Sequence, residues 1–210
     1  MTTGRQFIHA ALREPMRAIG WTPRAAGWFT APLAPGHTGV IAASAFSEHA
    51  APGTAYTTLF VHLRREDVEP VVRELVESPH ADGGYRSVTA TTSIGYLMPE
   101  PTWRTWLVTP DTADAVAAEL AAATRYHARP YLDRLAADPE LLLAEVRLAG
   151  RMASAVGPCQ VAVLLARLGR PEAGWAFVEE RVAALGTRTD PAAEHLRAMA
   201  GRLRNWLAAL

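Results

Sequence analysis

Tyr56-Thr57-Thr58-Leu59-Phe60-Val61-His62-Leu63 is the stretch on which the fold class turns. Apolar and polar side chains alternate with the period of two that a strand imposes, so Leu59, Val61 and Leu63 face one way while Tyr56, Phe60 and His62 face the other. Both faces carry bulk. Working outward, the residues from Trp21 to Val108 form short segments rich in Thr, Val, Tyr and Trp, broken by Pro-Gly punctuation. They predict strands at Gly27 to Thr30, Gly39 to Phe46, Tyr56 to Leu63, Val88 to Leu97 and Trp103 to Val108, with turns near Ala34-Pro35-Gly36, Ala51-Pro52-Gly53, Asp82-Gly83-Gly84 and Pro99-Glu100-Pro101. Connections this short favour antiparallel pairing.

Helical spacing flanks this region on both sides. Phe7, Ile8, Ala11, Leu12, Met16 and Ile19 define a first helix with capping-box spacing between Thr3 and Gln6, and Pro15 is placed to kink it. One inserted helix carries Val68, Val71, Val72, Leu75 and Val76 on its buried stripe before Ser78-Pro79 stops it. After Val108 the starts are legible as Thr109-Pro110, Asp138-Pro139 and Asp190-Pro191, each an N-cap followed by proline at the first helical position. Gly157-Pro158 and Arg170-Pro171 suggest two more, and Pro130 should bend or divide the helix before it, which makes five or six helices. Val161 to Leu185 reads as one helical hairpin turning at Gly169, and Leu196, Met199, Leu203, Trp206 and Leu210 mark one face of the last helix.

The expected fold is therefore α+β: an N-terminal helix and an antiparallel sheet of about five strands over residues 1–108, then an all-helical stretch over 109–210 packed on it as one folding unit. The order of Ile19-Gly20-Trp21, the Trp28-Phe29 strand, the sheet and the helical C-terminal half resembles the bacterial domain-of-unknown-function 4304 family. The run from His127 through Arg129-Pro130-Tyr131 to Asp138-Pro139 looks like the segment that follows the sheet in that family. The resemblance implies an α+β sheet domain and supplies no catalytic motif.

Composition narrows the function classes. With 210 residues the chain can bury a full core. Its 21 basic and 21 acidic residues cancel, so no net field draws it to nucleic acid or to an anionic membrane, and neither partner is expected. Every basic residue is arginine, which fits GC-rich coding and excludes Schiff-base, pyridoxal-phosphate and P-loop chemistry on lysine. Cys159 stands alone, so intrachain disulfides and multi-thiolate zinc sites are ruled out. The N-terminal residues lack a signal-peptide pattern, and a cytoplasmic location is the expectation.

Familiar chemical motifs are missing. The histidines at 9, 37, 49, 62, 80, 127 and 195 show no metal-ligand spacing, and Glu48-His49 and Glu194-His195 are neighbours whose side chains diverge. No G-x-S-x-G elbow occurs, and Asp82-Gly83-Gly84 is too short for a dinucleotide loop. Cys159, near a helix start, reads as a small buried hydrophobe in the absence of a histidine partner. No metal and no cofactor are expected. The candidate binding residues are aromatic and cationic: Tyr56, His62 and Arg64 share one strand face, Trp28, Trp103, Arg104 and Trp106 are expected on strands of the same sheet, and Arg125 and Arg129 are four apart on a helix. These point first to a binding module for a protein partner, immunity-like or regulatory. The alternative is a cofactor-independent enzyme of a specialised metabolic pathway that holds a small apolar ligand in a sheet-face pocket, with His62, Tyr56 or Arg64 moving a proton. A homodimer that buries Leu203, Trp206 and Leu210 is compatible with either.

Overall fold

A computed structural model describes residues 4–46, 50, 51, 53–77, 84–149 and 155–210. Thr3, Glu48-His49, Ser78-Pro79 and Asp82-Gly83 lie outside the described residues, and with them the cap and turns expected there. Among the described residues the fold is α+β, with a six-stranded antiparallel sheet and helices throughout the C-terminal half. Chain contacts divide it into two compact units, 1–63 with 91–137 and 64–90 with 138–210. This division does not follow the expected boundary at Val108, because the two helices after that residue belong with most of the sheet.

In the first unit, α1 (Gly4–Ala11) and α2 (Arg13–Ala18) are separated at Leu12. Pro15 explains the break: its ring opposes the carbonyl of Ala11 four residues back, and it has no N–H to give. The strands are β1 (Thr22–Pro23), β2 (Trp28–Pro32), β3 (His37–Phe46), β4 (Ala55–Arg65), β5 (Ala90–Ser93) and β6 (Trp106–Val108), ordered β1-β2-β3-β4-β5 with β6 also paired to β4. Two expected strands are shorter than their sequence signal. After Ser93 the chain enters a 3-10 turn, Ile94–Leu97, because Gly95 lies against the returning backbone: a methyl there would come within 2.3 Å of Thr102 O. Trp103 and Arg104 fall in that returning loop and outside the ladder, which begins only at Trp106.

One face of this sheet is closed by helices. Leu59, Val61 and Leu63 of β4 are fully buried, as are Phe29, Ile41 and Val108. His9 of α1 donates to Ala43 O at 3.1 Å, and Gly39 abuts Trp21 and Leu132. The helices α4 (Ala113–Ala123) and α5 (Arg129–Ala137) are joined by a π turn, Thr124–Ala128. That turn does what Pro130 requires, since it releases the Tyr126 carbonyl from a helical partner that proline cannot supply. Thr109 and Thr112 exchange side-chain-to-amide hydrogen bonds, so α4 begins at Ala113, later than Thr109-Pro110 predicts.

A turn leading into β2 holds Ala26 at φ 55, ψ 42, left-handed backbone that disfavours a residue with a Cβ. Ala26→Gly is expected to raise stability by about 0.5–1 kcal/mol, the relief exceeding the entropy that glycine adds to the unfolded chain. An unchanged urea midpoint would refute this.

The second unit contains α3 (Glu69–Val76), α6 (Pro139–Ala149), α7 (Val156–Arg167), α8 (Pro171–Ala183) and α9 (Pro191–Ala208). Asp138 caps α6 and Asp190 caps α9, as their Asp-Pro pairs indicate. The central helix α7 is buried from Gly157 to Leu165 and forms with α8 the expected hairpin. Gly169, at φ 75, closes α7 with Arg170 N–H on Leu165 O and Gly169 N–H on Ala166 O, the two bonds of a Schellman turn. His195 and Arg202 on α9 donate to Val76 O and Leu75 O, the open carbonyls at the end of α3.

Candidate functional site

The other face of β4 is lined by aromatic rings. Strand alternation puts Tyr56, Thr58, Phe60 and His62 on it, opposite the buried aliphatic row. On β2, Trp28 sits across from Ala42 of β3, and that small side chain leaves room for the indole to reach over β3 and stack on the His62 ring, with centroids 5.7 Å apart and planes 15° from parallel. Phe60 also stacks on His62, with centroids 6.2 Å apart, and Trp103 tilts against Phe60 at 5.8 Å. The row runs Trp28, His62, Phe60, Trp103. Toward the far end of β4, Phe46 stacks on Tyr56 at 6.0 Å, and Leu107 of β6 is the cross-strand neighbour of Tyr56.

Three of these side chains stay open to solvent: Phe46 is 38% exposed, Trp103 48% and Leu107 50%. Exposed apolar groups of that size, each set against a ring or strand neighbour of the β4 row, are uncommon on a surface that meets only water. At the centre of the row the chemistry is polar and buried. His62 Nδ1 lies 2.7 Å from the Thr91 hydroxyl, while Nε2 has no hydrogen-bond partner among the described residues. The same is true of Thr58 Oγ1, and of Ser93 Oγ, which shares the strand parity of Thr91. Buried polar atoms left unpaired each cost free energy that a ligand can return by supplying the missing bond.

Burial pulls the His62 pKa down to about 4. The ring is therefore neutral at pH 7, with one nitrogen held by Thr91 and the other buried without a partner.

The remaining sequence candidates are placed differently. Arg64 is occupied: its Nε donates to Glu66 at 2.9 Å, and its Nη1 donates to Gly84 O at 2.6 Å and Ser87 O at 2.7 Å. Arg104 lies 3.5 Å from Glu100 in the loop before β6. Trp106 points to the helical side, where its Nε1 donates to Glu119 of α4 at 2.7 Å. Arg125 stacks over the Tyr126 ring, and Arg129 donates to both oxygens of Asp133 at 3.0 Å, so this pair lies on helices rather than on the aromatic face. Sequence reading missed Thr91, Ser93, Thr58 and Phe46. Strand alternation alone could have found Thr58, but the nearness of Thr91 to His62 depends on a pairing between strands that are distant in sequence.

In the second unit, Cys159 is fully buried. Burial, with the Glu69 charge adding to it and Arg202 opposing, pushes its thiol up to about 12, so it remains a protonated, unreactive hydrophobe. Beside it, the buried Glu69 carboxylate accepts from Thr89 at 2.8 Å and Gln160 at 3.1 Å. Burial raises the Glu69 pKa, with Thr89, Gln160 and Arg64 pulling the other way. The folded protein thus holds this proton more tightly than the unfolded chain. That contribution is complete below the ordinary carboxylate pKa and is lost as pH rises through the raised value. Glu69→Gln is expected to gain stability over wild type as pH goes from about 5 to about 8, read as diverging urea midpoints. Parallel midpoints would show that the carboxyl is not perturbed. Among the described residues no group of three His, Cys, Asp or Glu side chains is placed to hold a metal ion.

Searches against protein-family models, curated proteins and solved structures returned no match for this chain.

Proposed function

We propose that this protein is a binding module whose aromatic sheet face, Trp28, His62, Phe60 and Trp103 with Tyr56, Phe46 and Leu107, receives a protein partner. The supporting observation is the pairing of half-exposed rings with a buried imidazole whose Nε2 is unpartnered. Large aromatic anchors around a desolvated polar group are what a protein interface uses to gain affinity and specificity together. The partner would present an apolar side chain to Trp103 and Phe60 and one hydrogen-bonding group to His62. An immunity-like or regulatory role suits such a surface.

The enzyme reading fits the same residues less well. A general base works best with a pKa near the operating pH, and His62 at about 4 is a weak one. Arg64, the expected polarising cation, already has three oxygen partners. Among the described residues no helix is long and apolar enough to cross a membrane.

The test is capture on the immobilised full chain from a lysate of its source, run in parallel with Trp103→Ala and analysed by native mass spectrometry. A stoichiometric protein held by wild type and lost from the variant supports the proposal. A protein held equally by both, or a retained metabolite with no protein, refutes it.

A further inference from the structure

A concavity lies in the first unit, between the N-terminal helices and the turn before β2. It is a cavity of about 370 Å³, lined by Gln6, His9, Arg13, Pro23, Arg24 and Ala26 among others. Its volume is within the range of small-molecule sites. Two arginines line it without a counter-charge: among the described residues no carboxylate lines the cavity, and neither Arg13 nor Arg24 has an acidic partner. On the same pair of helices, Arg17 is by contrast paired to Glu14. Arg24 is also held in place, its Nε donating to Thr30 Oγ1 at 3.0 Å, which orients the guanidinium while leaving its terminal nitrogens for another acceptor. The backbone at Ala26, on the cavity wall, is in the left-handed conformation that tends to persist where a binding site requires it. Ala10 and Pro23 give the cavity an apolar side.

We infer that this cavity binds a small organic anion, its phosphate or carboxylate group held between Arg13 and Arg24 and its apolar part against Pro23 and Ala10. Guanidinium forks match both head groups, and an anion supplies the counter-charge that the lining residues lack. This site is separate from the aromatic sheet face, so either proposal can fail without the other.

The test is titration of the ¹⁵N-labelled full chain with phenyl phosphate, benzoate and inorganic phosphate at physiological salt, following the Arg24 Nε–H and the Ala26 and Gly27 amides. Saturable shifts confined to these signals are expected with phenyl phosphate or benzoate. Arg13→Gln and Arg24→Gln should each weaken binding, and the double variant by tenfold or more. Arg17→Gln should leave it unchanged. Linear shifts, equal affinity in the double variant, or an equal loss with Arg17→Gln would overturn the inference. Inorganic phosphate binding as tightly as phenyl phosphate would overturn its apolar half.

Discussion

Gly174→Ala is expected to destabilise the protein by about 2 kcal/mol, although the same change in an ordinary helix stabilises by about 1 kcal/mol. Gly174 lies in α8 where it crosses α7, and a methyl group there would sit 2.7 Å from Ala162 O and 3.2 Å from Ala162 Cα. Both are backbone atoms of a helix buried along most of its length, so no flexible side chain can move aside, and the two helices must separate. The loss should lower Tm by roughly 4–8 °C for a chain of this size. Gly201→Ala is the matched control: its methyl would meet nothing within 4 Å, and propensity alone should raise stability by about 1 kcal/mol. Opposite signs for the two substitutions are the expected result. If both stabilise, the close approach of α7 and α8 is wrong.

Trp103→Ala is expected to weaken partner binding by about 2–4 kcal/mol, roughly 30- to 1000-fold, while folding stability changes by about 1 kcal/mol or less. Half of Trp103 is already in water, so its truncation removes little of the core, yet it deletes the outermost ring of the row that begins at Trp28. His62→Phe tests the polar centre. Phenylalanine keeps the stack between Trp28 and Phe60 but removes the unpartnered Nε2, and Thr91, being exposed, can bond to water instead. Stability should rise by about 1 kcal/mol as the unpaired buried nitrogen disappears, and binding should fall at least tenfold. That combination is the signature of a polar group retained for recognition at the expense of stability. Measured by urea midpoint and by surface-immobilised binding of the captured partner, unchanged affinity in Trp103→Ala would remove the aromatic face from the binding role.

Much of the architecture was readable from local pattern because local forces impose it. The alternation from Tyr56 to Leu63 assigned both faces of β4 correctly, the Asp-Pro pairs located the starts of α6 and α9, and Pro15 and Pro130 announced the breaks at Leu12 and at the π turn. Each depends only on residues within one turn or one strand. The misplacements have a different origin. Residues 94–97 look like strand but form a 3-10 turn, because the returning chain presses Thr102 against Gly95, and Trp103 is drawn off the ladder by the same loop.

The sequence by itself therefore determined the α+β class, the two-faced central strand, the starts of α6 and α9 and the chemistry this chain cannot perform without lysine or a second cysteine. Only the tertiary structure decided which aromatic residues share a surface. It took Trp28 across Ala42 to His62, joined Thr91 to the same imidazole and committed Arg64 to carbonyls of a neighbouring loop. The physical reason is reach: propensity, capping and alternation act over a few residues, whereas a site is assembled by strand register and packing between segments separated by tens of residues, which no local pattern encodes.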